Sequence, residues 1–106
     1  MILHTVAFKL KHERGSEAET AFLEAGNTLA DLPMVRNFRC YKQTSQKNDF
    51  EFGFSMEFAS LEDYQAYNVH PVHVDFVSRR WIPEVSDFLE LDYEELAMAD
   101  PSQIEK

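Results

Sequence analysis

The chain has little cysteine, glycine, proline or tryptophan: one, three, four and one respectively in 106 residues. A lone Cys40 cannot form an intrachain disulfide, so a reducing compartment is compatible with the sequence, and a small core thiol is its expected role. There is no glycine-rich phosphate loop, nucleophile elbow, CxxC pair or cofactor anchor. Kinase, hydrolase, thioredoxin-like and dinucleotide-dependent readings are therefore poor, and no cofactor is expected. No apolar run approaches the roughly 20 residues of a membrane span, and the N-terminus lacks the charged and then apolar pattern of a secretory signal, so a cytoplasmic location is expected. Basic residues are scarce as well. Ten lysines and arginines against nineteen acids leave a formal charge of −9, the wrong sign for a surface that binds nucleic acid or an anionic membrane.

What is present is periodicity. Ile2, His4, Val6, Phe8 and Leu10 alternate with Leu3, Thr5, Ala7, Lys9 and Lys11, which predicts a strand with one apolar face. From Ser16 the spacing changes: Ala18, Ala21, Phe22, Ala25, Leu29 and Leu32 predict an amphipathic helix capped by Ser16 and stopped by Pro33. A second strand is expected near Val35 to Thr44. After the polar turn from Gln46 to Asp49, Phe50, Phe52, Phe54, Met56 and Phe58 alternate with Glu51, Gly53, Ser55, Glu57 and Ala59 in a third strand. Ser60 caps a helix through Leu61, Tyr64 and Tyr67. Pro71 starts a shorter one to about Arg80 that presents Val74, Val77 and Trp81 to the core, and Pro83 ends it. Val85, Leu89, Leu91 and Tyr93 mark a fourth strand. The organisation expected is one domain over residues 1–94 and an acidic tail over residues 95–106.

Strand, helix, strand, strand, helix, strand is the α+β, ferredoxin-like plan: a four-stranded antiparallel sheet with its helices on one face. The other face, with Leu3, Thr5, Ala7, Gly53 and Ser55, has no cover from its own chain. A second copy packed sheet to sheet would supply it, giving a homodimeric α+β barrel.

The opening Ile2-Leu3-His4-Thr5-Val6-Ala7-Phe8-Lys9-Leu10-Lys11, the Leu32-Pro33-Met34-Val35 passage and the segment Tyr67-Asn68-Val69-His70-Pro71-Val72-His73-Val74 resemble the stress-responsive dimeric α/β-barrel (Dabb) family over about residues 1–94. Met34 departs from the glycine many relatives carry. The family includes stress-associated proteins without an assigned reaction and a plant polyketide cyclase, so the resemblance implies the fold more firmly than any activity.

Strand alternation turns His4 toward the helices, and the resemblance places His73 in the same interior. Matching to the cyclase motif implies His73 as a general base, Tyr67 as a hydrogen-bond donor near the mouth of a shared pocket, and His4 as an orienting or polarising group. Val6, Phe22, Phe54 and Trp81 are candidate apolar walls, and each also reads as ordinary core packing. The competing reading of His4 is a neutral core histidine bonded to a tyrosine or a backbone carbonyl. A metal site of His4, His70 and His73 is disfavoured because Pro71 turns His70 out of regular helical stacking; His70 is expected to start the short helix. His12 is expected in solvent, Tyr64 in the core with a secondary claim as the pocket phenol, and Glu90, Asp92, Glu94 and Glu95 at a solvated strand end. Two functions follow as alternatives. One is a ligand-binding domain for a small apolar or carbonyl-containing molecule, with cyclase-like or lyase-like catalysis as its enzymatic form. The other is a structural protein whose histidines only satisfy a core.

Overall fold

The computed structural model describes residues 1–97. Its elements run β1 (Ile2–Leu10), α1 (Glu17–Asn27), β2 (Arg36–Lys42), β3 (Phe52–Phe58), α2 (Leu61–Val69), α3 (Pro71–Phe76) and β4 (Val85–Glu94). The four strands form one sheet in the order β2-β3-β1-β4, with every neighbouring pair antiparallel. This is the ferredoxin-like arrangement expected. Most of the expected tail, residues 98–106, lies outside the described residues.

Side chains set the two faces of the sheet. Ile2, His4, Val6, Phe8 and Leu10 of β1 are buried, as are Phe52, Phe54, Met56 and Phe58 of β3, so both apolar sets face the helices as their period of two requires. Phe8 is fully buried among aromatic rings, with ring centroids 4.7 Å from Phe54, 5.1 Å from Trp81 and 5.7 Å from Phe22. Phe50 falls outside β3 and is only half-buried.

The helices differ from expectation in instructive ways. Ser16 and Ser60 cap α1 and α2 by accepting the backbone N–H groups of Glu19 and Asp63. However, α1 stops at Asn27 and gives way to a tighter 3₁₀ turn over Thr28–Asp31. With three residues per turn, that segment stacks Leu29 and Leu32 on one side, and both are buried. Ala18 and Ala21 are exposed; Phe22 and Gly26 are the side of α1 that packs inward. Leu61 and Val74 also face outward, while Phe76 takes the buried place expected of Val74. Beyond α3 the backbone opens into a π-helical turn, Val77–Trp81, and then a single helical turn, Ile82–Glu84, that contains Pro83 rather than ending before it. Cys40 is exposed on the edge strand β2 and is not the core thiol expected.

Gly26 is required by packing. A Cβ there would stand 2.4 Å from Cζ of Phe54, which is itself buried against Phe8 and Phe38. Helix propensity alone would make Gly26→Ala stabilising by about 1 kcal/mol, whereas overpacking a closed core usually costs about 1 to 3 kcal/mol. We expect the second effect to win, giving a lower denaturant midpoint. A raised midpoint would show that the Phe54 ring moves aside freely.

Candidate functional site

Between the sheet and the helical layer lies a cavity of about 350 Å³. Its floor comes from His4 of β1, Phe54 of β3 and Phe88 and Glu90 of β4; its roof comes from α2, α3 and the π-helical turn. His4, His73, Tyr67, Phe54 and Trp81 all line it, so the structure brings together five of the seven residues singled out in the sequence. Val6 and Phe22 do not line it: both are buried in the core, where Phe22 packs on Phe8 and Phe76.

His4 is held by two partners. Its Nδ1 lies 2.6 Å from Oδ1 of Asp92 and 2.9 Å from the Tyr64 hydroxyl, which donates to Oδ2 of Asp92 at 2.8 Å. Facing a carboxylate, Nδ1 carries the proton, and Nε2 is left with the lone pair in the neutral ring. A tyrosine partner was one sequence expectation; the carboxylate was not. The ladder explains it: Asp92 pairs with His4 and Glu90 with Val6 across β1 and β4, so both acids point to the helix side. Both are solvent-exposed, as expected of a solvated strand end, but Asp92 is also bonded to His4 and Tyr64, and Glu90 also borders the cavity. Tyr64, stacked on Phe58 with ring centroids 4.8 Å apart, is the phenol of the His4 network, a larger role than its helical spacing suggested.

His73 is partly buried one turn into α3. The Asn68 carbonyl accepts its Nδ1–H at 3.2 Å, again leaving Nε2. Burial pushes its pKa below the usual histidine value, reinforced by the nearby His4 and partly opposed by the Asn68 contact and the Glu90 charge. Tyr67 lies between the two imidazoles, with its ring centroid 4.1 Å from His73 and 6.3 Å from His4. It belongs to the inner wall and not to the mouth, being 2% exposed. Burial first, and then the Glu90 charge, raise its pKa well above that of a free phenol. Burial and the Asp92 hydrogen bond do the same for Tyr64. Both phenols are thus donors at neutral pH.

His70 caps α3, its Nδ1 accepting the Val72 N–H at 3.1 Å, which is the helix-starting role expected of it. Among the described residues no three histidine, cysteine, aspartate or glutamate side chains converge as a metal site would need. His12 is not in solvent: its Nε2 meets Oε1 of Glu84 at 2.6 Å, and Arg80 binds the same carboxylate. Burial raises that carboxyl, but the bonds from Arg80 and His12 outweigh it and hold its pKa below the usual range.

Comparison with known proteins agrees with this architecture. The model of the stress responsive A/B barrel domain (Dabb) matches residues 2–95. A Dabb family protein with a ferredoxin-like fold from Mesorhizobium loti is 49% identical, with 91% of this chain and 97% of that one covered and a TM-score of 0.88. A dimeric protein of unknown function and ferredoxin-like fold from Bacteroides fragilis is 20% identical, with 89% and 95% covered and a TM-score of 0.68. The hydroxynitrile lyase of Passiflora edulis is 14% identical, with 93% and 96% covered and a TM-score of 0.79. At such identities the last two show a shared fold alone. No curated protein matches the chain. With nearly its whole described length matched by the family model and half its residues shared with a member, the chain belongs to the stress responsive A/B barrel domain family.

Proposed function

We propose that the domain binds a small, largely apolar, carbonyl-containing molecule in the histidine-lined cavity and, as its enzymatic form, moves a proton beside that carbonyl without a cofactor. One observation carries the reading. A protonated phenol, Tyr67, sits between two imidazoles in one cavity, and each imidazole has its Nδ1 engaged, leaving Nε2 for a ligand. A core built only for stability would fill this space; ligand sites are concave and preformed. In the proposed arrangement the neutral His73 ring takes a proton from the carbon next to the carbonyl, and Tyr67 donates a hydrogen bond to the enolate oxygen. His4, fixed by Asp92 and Tyr64, orients or polarises the ligand. Carbon–carbon closure or cleavage of cyclase or lyase type can follow from such an enolate.

The test is deuterium exchange at the carbon beside the carbonyl of phenylacetone in heavy water, followed by proton NMR. We expect faster exchange with the protein than in buffer. A buffer-like rate with the probe shown to be bound would remove the catalytic part, and failure of small aryl ketones and alcohols to bind would remove the cavity reading itself.

The same proposal includes the second copy. Register places Leu3, Thr5 and Ala7 beside Tyr93, Leu91 and Leu89, and Tyr41 beside Gly53, all on the face without helices. Tyr41, Leu89, Leu91 and Tyr93 are each about half exposed there, a contiguous apolar surface of the kind that marks an interface. Several proteins of this fold are described as dimeric. Sedimentation should give a dimer at micromolar concentration; a monomer would refute it.

A further inference from the structure

Resting on the cavity reading above, we infer that the cavity's ligand carries a cationic amine, held by the Glu90 carboxylate beside Trp81 and Phe88. The starting point is the inverted polarity of β4. Beyond Phe88, which faces the helices, its apolar residues Leu89, Leu91 and Tyr93 lie on the helix-free face, and its acids Glu90 and Asp92 lie on the face toward the helices. Asp92 is accounted for by His4 and Tyr64. Glu90 lines the cavity yet has no hydrogen-bond or ion-pair partner among the described residues. Its charge nonetheless reaches inward, since it acts on Tyr67, Tyr64 and His73.

Among the described residues no lysine or arginine lines the cavity. The two arginines of the adjacent π-helical turn are already matched, Arg79 with Asp75 at 2.7 Å and Arg80 with Glu84. An anionic ligand would therefore meet an uncompensated carboxylate in a chain of formal charge −9, whereas an ammonium group would meet its complement. The surroundings suit a cation in a second way. Trp81 and Phe88 pack edge to face with centroids 5.6 Å apart, and Phe76 lies 6.4 Å from Trp81. Aromatic faces attract ammonium groups through the ring quadrupole, most strongly for tryptophan. Carboxylate and aromatic faces together select amines over alcohols and acids of equal size.

Three probes share one skeleton and differ in charge: phenethylamine, 2-phenylethanol and phenylacetate. Binding is measured on the full chain by the fluorescence of Trp81, the only tryptophan, so that loose association of a cation with the acidic surface is not scored as occupancy. At neutral pH and low salt, phenethylamine should bind about tenfold more tightly than 2-phenylethanol, and phenylacetate most weakly. Glu90→Gln should bring the amine down to the level of the alcohol and leave the melting curve unchanged, because Glu90 is exposed on an edge strand. Alcohol binding as tight as amine binding, or an amine preference that survives Glu90→Gln, would overturn the amine inference and leave the cavity reading intact. No response to any probe in the wild type would overturn both.

Discussion

Phe8→Ala should lower stability by about 3 to 5 kcal/mol, the largest effect expected of a truncation that leaves the cavity residues in place. The ring is completely buried and is the meeting point of β1, β3, α1 and the π-helical turn through Phe54, Phe22 and Trp81. None of these neighbours can close the gap alone, because each is fixed by further ring contacts. Domains of this size are stable by about 5 to 15 kcal/mol in total, so the variant should melt far below the wild type in urea. A loss under about 1 kcal/mol would mean that Phe8 does not occupy the centre of the core. Phe54→Ala should be comparably damaging, but since Phe54 also lines the cavity, its removal should enlarge the site as well.

His73→Ala should reduce proton exchange on a bound ketone by about 100- to 10,000-fold, the range a positioned general base contributes, while leaving the dimer intact. Tyr67→Phe should be milder, because it removes one donor and keeps the ring between the imidazoles. The pH profile supplies a separate check. Only the neutral ring accepts a proton, and burial lowers the pKa of His73. The rate should therefore rise with pH through a value below the usual histidine pKa of about 6.5 and level off before neutrality. The same depressed pKa favours folding above about 6.5 and withdraws that contribution as the pH falls through the folded-state value. Equal rates for wild type and His73→Ala with a bound probe would rule out His73 as the base.

The two strands with alternating apolar faces were legible because one period places every side chain, and the inward direction of His4 followed from the same rule. The fourth strand was not. Its exposed Leu89, Leu91 and Tyr93 resemble core residues, and only the register with β1 shows that they point away from the helices while Glu90 and Asp92 point in. Two exposed acids two residues apart read as solvated charge, and only the opposite strand shows which face of the sheet they share. For α3 and the turn after it the signal was present but ambiguous: Phe76 and Val74 both recur at helical spacing with Val77 and Trp81, and the fold buries Phe76, packs Trp81 on the core and leaves Val74 exposed. Val6 and Phe22 were assigned to the pocket because they are apolar and inward, a description that fits core and cavity wall alike. Their separation depends on where the helices leave space.

The π-helical turn at Val77–Trp81 has a consequence for insertion and deletion along lines of descent. It closes one residue later than an α-helical turn, with the Ile82 N–H bonded to the Val77 carbonyl. Removing one residue between Val77 and Trp81 would restore the ordinary four-residue closure between the same two groups, so the chain beyond it would keep nearly its present direction. Trp81 would then stay close to the inward position it now holds, and the aromatic wall of the cavity would survive the loss. In an alignment such a change is a gap of one position, indistinguishable from harmless loop variation. In this fold it would be absorbed within a helix, without altering a residue on the cavity floor.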